Sequence, residues 1–346
     1  MKYFAGIDAS LEESHVCVVD ETGRIVKEAV VASEPGALAA YLLGLGLALE
    51  RVGLEAGPLS QWLYAGLRSA GLPMVCLETR QVKAALSAMQ VKTDRKDARG
   101  IAQVVRTGWY QEVHVKSLQA QDTRVLLEAR GLLKKQVGEV TSSIRGLLRN
   151  FGLKVGKVGQ AGFAARVREL LASRPSLSPA IEPMLASRET LRKELAKLDR
   201  LVVRTARENP VCRRMMTAGG VASVVALTYV SGIDDPYRFK KSKDVGPYLG
   251  LIPKRYQSGE VDRIGQITKV GDSAVRKALY QAANTILSRP VRWSPLKAWA
   301  MRVAQRRGMK RAKVALARKL AVVLHRMWID GSEFRWSQHV SPAAAS

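Results

Sequence analysis

Cysteine and histidine are scarce: the 346-residue chain has three of the first and four of the second. Cys17, Cys76 and Cys212 are scattered, so they can build neither a disulfide framework nor a metal cluster, and they fit a reducing compartment. His15, His114, His325 and His339 are equally dispersed, and none is assigned a ligand or catalytic role. No apolar run reaches the roughly 18 residues that a membrane span needs. Met1-Lys2-Tyr3-Phe4 does not read as a signal peptide, so a cytoplasmic protein is expected.

Acidic residues are missing from one long stretch. None occurs between Ser273 and Ile329, where basic residues from Arg276 and Lys277 to Arg318, Lys319 and Arg326 accumulate. The formal charge is +26, and its distribution is uneven. Residues 1–116 carry 13 basic and 13 acidic residues, whereas residues 117–346 carry 43 and 17. A surface that basic is suited to phosphates, which makes polyanions the natural partner.

The acids that remain fall in informative places. Tyr3 to Asp8 is a short apolar run ending on a carboxylate; two further strands follow, His15 to Val19 and Ile25 to Val31, joined by polar turns. A helix over Glu34–Leu49, a strand Val52–Glu55, a helix over Leu59–Ser69 and a strand Met74–Leu77 complete a sheet of mixed direction. The stretch Lys92-Thr93-Asp94-Arg95-Lys96-Asp97-Ala98 then opens a helix to Arg106 and sets two carboxylates three residues apart on one face. Such a pair is either a solvated helix face or a site made comfortable by a cation. Asp8 and Glu55, in or at the end of apolar strands, favour the second reading.

Long helices follow over Ser117–Asn150 and Pro175–Arg207, with a glycine-rich linker, Gly152 to Gly162, between them. Basic helices are expected over Asp272–Ser288, Trp293–Arg307 and Arg311–Trp328, and the tail from Gly331 is expected to be poorly ordered. The divisions implied are 1–116, 117–208, 209–330 and a tail, 331–346.

Acids on strand one and at the end of strand four resemble the RNase H or RuvC-like nuclease fold. Four motifs in order, Gly6-Ile7-Asp8, Glu55-Ala56-Gly57, Arg80-Gln81-Val82-Lys83 and Lys92-Thr93-Asp94-Arg95-Lys96-Asp97-Ala98-Arg99, resemble insertion-sequence transposases with an Asp-Glu-Asp-Asp RuvC-like domain. That family includes the bridge-RNA-guided recombinases. The likeness continues from Tyr248-Leu249-Gly250-Leu251-Ile252-Pro253-Lys254-Arg255-Tyr256-Gln257-Ser258-Gly259 to Gln266-Ile267-Thr268-Lys269 and Arg276-Lys277, which resemble the family's C-terminal serine transposase domain. Thr217-Ala218-Gly219-Gly220-Val221-Ala222 resembles its helix-hairpin-helix turn, with Gly219 in place of proline and Ala222 in place of the second glycine. Gly220 there either holds a backbone phosphate or simply turns the chain.

The fold implied is an α/β RNase H-like (RuvC-like) domain, then a long helical or coiled-coil insert, then a mostly α-helical C-terminal domain. The resemblance implies that Asp8, Glu55, Asp94 and Asp97 hold Mg2+ or Mn2+, and that Ser258 is the catalytic serine. Lys254, Arg255, Arg263, Lys269, Arg276 and Lys277 are then candidates for binding nucleic acid. It also implies donor and target DNA, a guide (bridge) RNA, a nucleoid-associated location, and a homo-oligomer, dimer or tetramer, with composite active sites. Three rivals stand beside it. A sugar kinase shares the Gly6-Ile7-Asp8 opening, but the chain has no Asp-x-Gly-Gly phosphate loop. A Holliday-junction type nuclease would use the four acids without serine chemistry. A non-enzymatic nucleic-acid-binding protein would need neither.

Overall fold

The computed structural model describes residues 1–87, 93–259 and 261–336. Lys92, first residue of the two-acid motif, and residues 337–346 of the expected tail lie outside these. The chain divides into two compact units, Met1–Lys116 and the remainder from Ser117.

The first unit is a five-stranded sheet with helices on both faces. Strands β1 (Tyr3–Ala9), β2 (Glu13–Asp20) and β3 (Ile25–Ala32) form an antiparallel meander. Helix α1 (Pro35–Gly44) leads to β4 (Leu49–Glu55), helix α2 (Ser60–Ser69) to β5 (Met74–Leu77), and both strands run parallel to β1. The resulting order is β3-β2-β1-β4-β5, a sheet of mixed direction. α1 is shorter than its sequence pattern suggests. It stops at Gly44, and Gly46 adopts φ +64°, where a glycine is at no disadvantage.

Alternation along the strands sorts the core into two layers. Ala5, Ile7, Val16, Val18, Val52 and Leu54 meet Leu38, Leu42, Leu63 and Leu67 of α1 and α2. Phe4, Cys17, Val19 and Leu77 face the other way, against Val82 of helix α3 (Thr79–Leu86) and Ala98, Ile101, Ala102 and Val105 of helix α4 (Asp94–Thr107). Each fully buried aliphatic side chain in such a layer contributes about 1.5–3 kcal/mol.

Among the described residues the second unit is helical apart from one hairpin. Helix α5 (Leu118–Arg149) is followed by α6 (Phe163–Leu171), and α7 (Ser178–Glu208) returns beside α5 as an antiparallel partner. Ile144 and Leu148 meet Phe163, Val167, Ile181 and Leu185 at the far end. Arg188, 1% exposed, lies over the Phe163 ring there and donates to Thr141 Oγ1 at 2.8 Å and to Gln160 Oε1 at 2.5 Å. At the near end Val202 and Ala206 of α7 join the core formed by α8 (Pro210–Met215), α9 (Ser223–Ile233), α10 (Val245–Tyr248) and α11 (Ser273–Ser288). Helices α12 (Pro295–Arg307) and α13 (Met309–Ile329) close the same core, so the near ends of the long helices pack with the C-terminal helices while their far ends keep the separate core around Phe163. The hairpin comprises β6 (Pro253–Ser258) and β7 (Val261–Ile267).

The first residues of the expected tail are anchored. The Phe334 amide donates to Thr217 Oγ1 at 2.9 Å, Phe334 and Trp336 meet edge to face at 5.0 Å, and Arg292 lies over the Trp336 ring. Among the described residues no helix is long and apolar enough to cross a membrane.

Candidate active site

Asp8 lies near the end of β1 on the face that carries α4, and Glu55 ends the neighbouring parallel strand β4. Asp94 and Asp97 occupy the first turn of α4, where the helix dipole favours negative charge. Thr93 starts that helix by accepting the Lys96 amide on its hydroxyl at 3.3 Å. Asp94 is exposed and Asp97 is buried, at 9% exposure. The structure brings the four acids into one electrostatic neighbourhood. Burial, then the charges of Asp97, Asp94 and Glu55, push the Asp8 carboxyl from 3.8 to about 6. His15, opposite Asp8 in the β1–β2 register, partly offsets this. Among the described residues no three His, Cys, Asp or Glu side chains converge tightly enough to enclose a metal ion. The donors present are carboxylate oxygens, the set that hard Mg2+ or Mn2+ ions take.

Two glycines set the approach of α4. Gly6 and Gly53 are register partners on β1 and β4, each two residues before an acid and therefore on that acid's face. A Cβ on Gly6 would lie 2.3 Å from both the Ala98 carbonyl oxygen and the Ala102 amide nitrogen, and one on Gly53 would lie 2.2 Å from Val105 Cγ2. The helix thus rests on bare backbone, and its first turn is carried to the acid-bearing edge.

Glu28 on β3 fastens the same turn. Arg95 donates to it at 3.0 and 2.5 Å, and Arg99 donates through Nη2 at 2.8 Å and through Nε. These two guanidinium groups hold the Glu28 carboxyl down at about 2. Sequence reasoning missed Glu28, Gly6 and Gly53. The sequence signal available was the repeated glycine two residues ahead of Asp8 and of Glu55.

Ser258 ends β6 at the tip of an exposed two-stranded ribbon. Gly259 follows at φ +54°, the left-handed conformation that two-residue hairpin turns require. Among the described residues this ribbon is a β-hairpin within an otherwise helical unit. Tyr256 pairs with Arg263 and Ser258 with Val261, so Lys254, Tyr256, Ser258, Val261 and Arg263 share one face. Tyr256 is 65% exposed, which excludes its being packed beneath the hairpin.

The expected nucleic-acid contacts separate into available and engaged groups. Lys254, Arg263, Lys269 and Lys277 are exposed. Lys269 holds φ +57°, a conformation that costs a non-glycine residue about 1 kcal/mol or more. On the other face of the ribbon, Arg255 forms a bidentate pair with Asp262 at 2.9 and 2.8 Å. Arg276 departs most from expectation: its Nη1 donates to the carbonyls of Val270, Gly271 and Leu249 at 2.5, 2.9 and 3.2 Å. It anchors the hairpin base, where a Cβ on Gly250 or Gly271 would collide with backbone. Gly220, at φ +77°, is tightly packed, and a Cβ there would lie 2.7 Å from the Ala282 carbonyl oxygen on α11.

An acid-edged mixed sheet is thus followed in the chain by a basic helical unit that carries an exposed ribbon with Ser258 near its tip. Residues 5–152 match a transposase family designated DEDD_Tnp_IS110, and residues 212–297 match the transposase IS116/IS110/IS902 family. Both regions are thus similar to transposase domains of the IS110/IS116 type. It is 27% identical over 329 residues to the transposase for insertion sequence element IS1111A of Coxiella burnetii, covering 92% of this chain and 87% of that one. It is 26% identical to a probable family 20 transposase of Pseudomonas aeruginosa, covering 67% and 71%. Among solved structures, T. thermophilus RuvC in complex with a Holliday junction substrate matches 33% of this chain and all of its own, at 18% identity and a TM-score of 0.25.

Proposed function

We propose that this transposase cuts and rejoins strands of donor and target DNA by phosphoryl transfer through Ser258, with Asp8, Glu55, Asp94 and Asp97 as ligands for divalent ions, Mg2+ or Mn2+. The observation that carries the acid site is the gathering of Asp8 and Glu55, on neighbouring parallel strands, with Asp94 and Asp97 on the first turn of α4, where burial and then the three other acids raise the Asp8 carboxyl to about 6. A group that gains so much from one positive charge gains in the same way from a bound cation. When bound, divalent ions supply charge neutralisation on the attacking and leaving oxygens.

In the serine step Oγ forms a bond to phosphorus and one phosphodiester ester bond breaks. The hydroxyl loses its proton to a base and the departing deoxyribose oxygen takes one up. A strand hydroxyl attacking the phosphoserine reverses these changes, restores the serine and joins a new pair of ends. Lys254 and Arg263, on the Ser258 face, are positioned to hold the phosphate, and Arg276 keeps the hairpin base in place. Serine is a weak nucleophile until activated, which accounts for pairing it with an acid and metal site.

A homo-oligomer, dimer or tetramer, with sites assembled from the acid unit of one copy and the ribbon of another suits a nucleophile on an exposed tip. Leu118, Val125 and Leu132 on α5 support this, being 70%, 67% and 54% exposed at seven-residue intervals, the spacing of a helix–helix seam. Target choice by a bridge RNA agrees with the basic surface beyond Lys116. The test is to assay cleavage and joining together, in Mg2+, with Ser258→Ala and Asp97→Asn. Loss of both activities in both variants, with DNA binding kept, supports the reading; cleavage without joining in the wild type, or cleavage by Ser258→Ala, identifies a metal nuclease that does not use serine.

A further inference from the structure

A cavity of about 1090 Å³ lies between α12, α13 and the chain segment that follows α13, away from the ribbon. Its floor is apolar, formed by Leu296, Val323, Met327 and the half-buried Trp299. Its rim carries the exposed cations Arg302, Lys319 and Arg326, and the Lys319 ammonium sits 4.2 Å from the centroid of the Trp299 ring. Asp330 and Glu333 line one side, and the segment that carries Glu333 is pinned by the Phe334–Thr217 hydrogen bond.

We propose that this cavity binds an unpaired nucleotide of a single nucleic-acid strand, its base on the apolar floor beside Trp299 and its phosphates at Arg302, Lys319 and Arg326. An aromatic platform flanked by cations is the general device for holding single strands, because every base has a face to stack and every link has a charge to neutralise. The volume lies just above the usual range of ligand pockets, roughly 300–1,000 Å³, and accommodates a base with its sugar. The two carboxylates separate this occupant from a plain polyanion: they repel phosphate but accept hydrogen bonds from the exocyclic amine of a base. A duplex cannot enter, since its bases are stacked and paired inside. The site uses neither Ser258 nor the four acids, so it stands or fails apart from the reading above.

The test uses the full chain and fluorescein-labelled 12-mers of deoxycytidine and of cytidine beside a DNA duplex. Trp299→Leu, and separately the surface pair Arg302→Gln with Arg326→Gln, should each weaken single-strand binding about tenfold, and Trp299→Phe should restore most of it. Duplex binding by Trp299→Leu should stay within about twofold, which also shows that this variant is folded. A 5-iodocytosine strand should crosslink to Trp299 or Phe334, and the tighter of the two strands names the source as DNA or RNA. Unchanged single-strand affinity in both variants, or an equal loss on duplex for Trp299→Leu, would overturn the proposal and leave the cavity to another occupant.

Discussion

The two units hold their candidate reactive groups in opposite ways. In the first, the acids sit where a helix is pressed onto a sheet, and Asp97 is almost covered. In the second, Ser258 stands at the tip of a ribbon whose residues are almost all exposed, and only the ribbon's base is fixed. The acid site is therefore coupled to folding, and a change there shows in stability. The hydroxyl site is uncoupled from the core, so a change there should appear in catalysis alone. The charge follows the same division, neutral before Lys116 and strongly basic after it.

The largest effect that separates the units is steric. Gly6→Val should destabilise the protein by about 3 kcal/mol, because the new side chain meets the α4 backbone rather than a flexible side chain. Ser258→Ala should change stability by less than about 0.5 kcal/mol, as exposed substitutions do. Urea melts of the two variants decide this, and similar shifts would remove the contrast.

Next in size is the clamp on α4. Glu28→Gln should cost about 2 kcal/mol and reduce strand joining, because it loosens the turn that carries Asp94 and Asp97. Since the folded-state Glu28 carboxyl lies below its ordinary 4.5, at about 2, its contribution is complete above pH 4.5 and lost as pH falls toward 2. Stability of wild type and Glu28→Gln should therefore converge in acid.

Asp8 has the opposite sign. Its folded-state carboxyl lies above the ordinary 3.8, at about 6, so the metal-free wild type loses stability as pH rises between those values. With a chelator present, Asp8→Asn should be more stable than wild type at pH 8 by on the order of 1 kcal/mol, after allowance for partial solvent exposure, and no more stable at pH 3.5. Joining should be lost in the same variant. An Asp8→Asn protein less stable at pH 8 would show that the acids are held by partners rather than crowded.

The smallest effect belongs to the ribbon's cations. Lys254→Gln with Arg263→Gln should make the log–log salt dependence of duplex binding shallower by about 0.9 per phosphate contact removed, without moving the melting curve. An unchanged slope would place the DNA elsewhere on the basic unit.

What was legible in the sequence follows the same line between packed and exposed. The sheet, α4 and the long helices were readable because burial imposes periodicity: Ile101, Ala102 and Val105 on α4, and Ile144 and Leu148 on α5, mark their covered faces. The two-layer role of Gly6 and Gly53 was not, since a glycine's use lies in what approaches it. The β6–β7 ribbon was missed as a strand pair because neither of its faces is buried, which leaves no apolar alternation to see. Arg276 looked like a phosphate ligand because charge is visible in sequence while the carbonyls it serves are not. Glu28 lies 67 residues before Arg95, a pairing that only the folded sheet creates.

The central claim, that an exposed serine and not its neighbouring tyrosine carries the DNA strand, is tested most directly by trapping the covalent protein–DNA adduct and locating it by mass spectrometry after proteolysis. Ser258 and Tyr256 share one face of the ribbon, so geometry leaves both within reach of the same phosphate. The account predicts the nucleotide phosphate on Ser258, no adduct from Ser258→Ala, and a normal one from Tyr256→Phe. A phosphotyrosine at Tyr256, or undiminished adduct from Ser258→Ala, would contradict it.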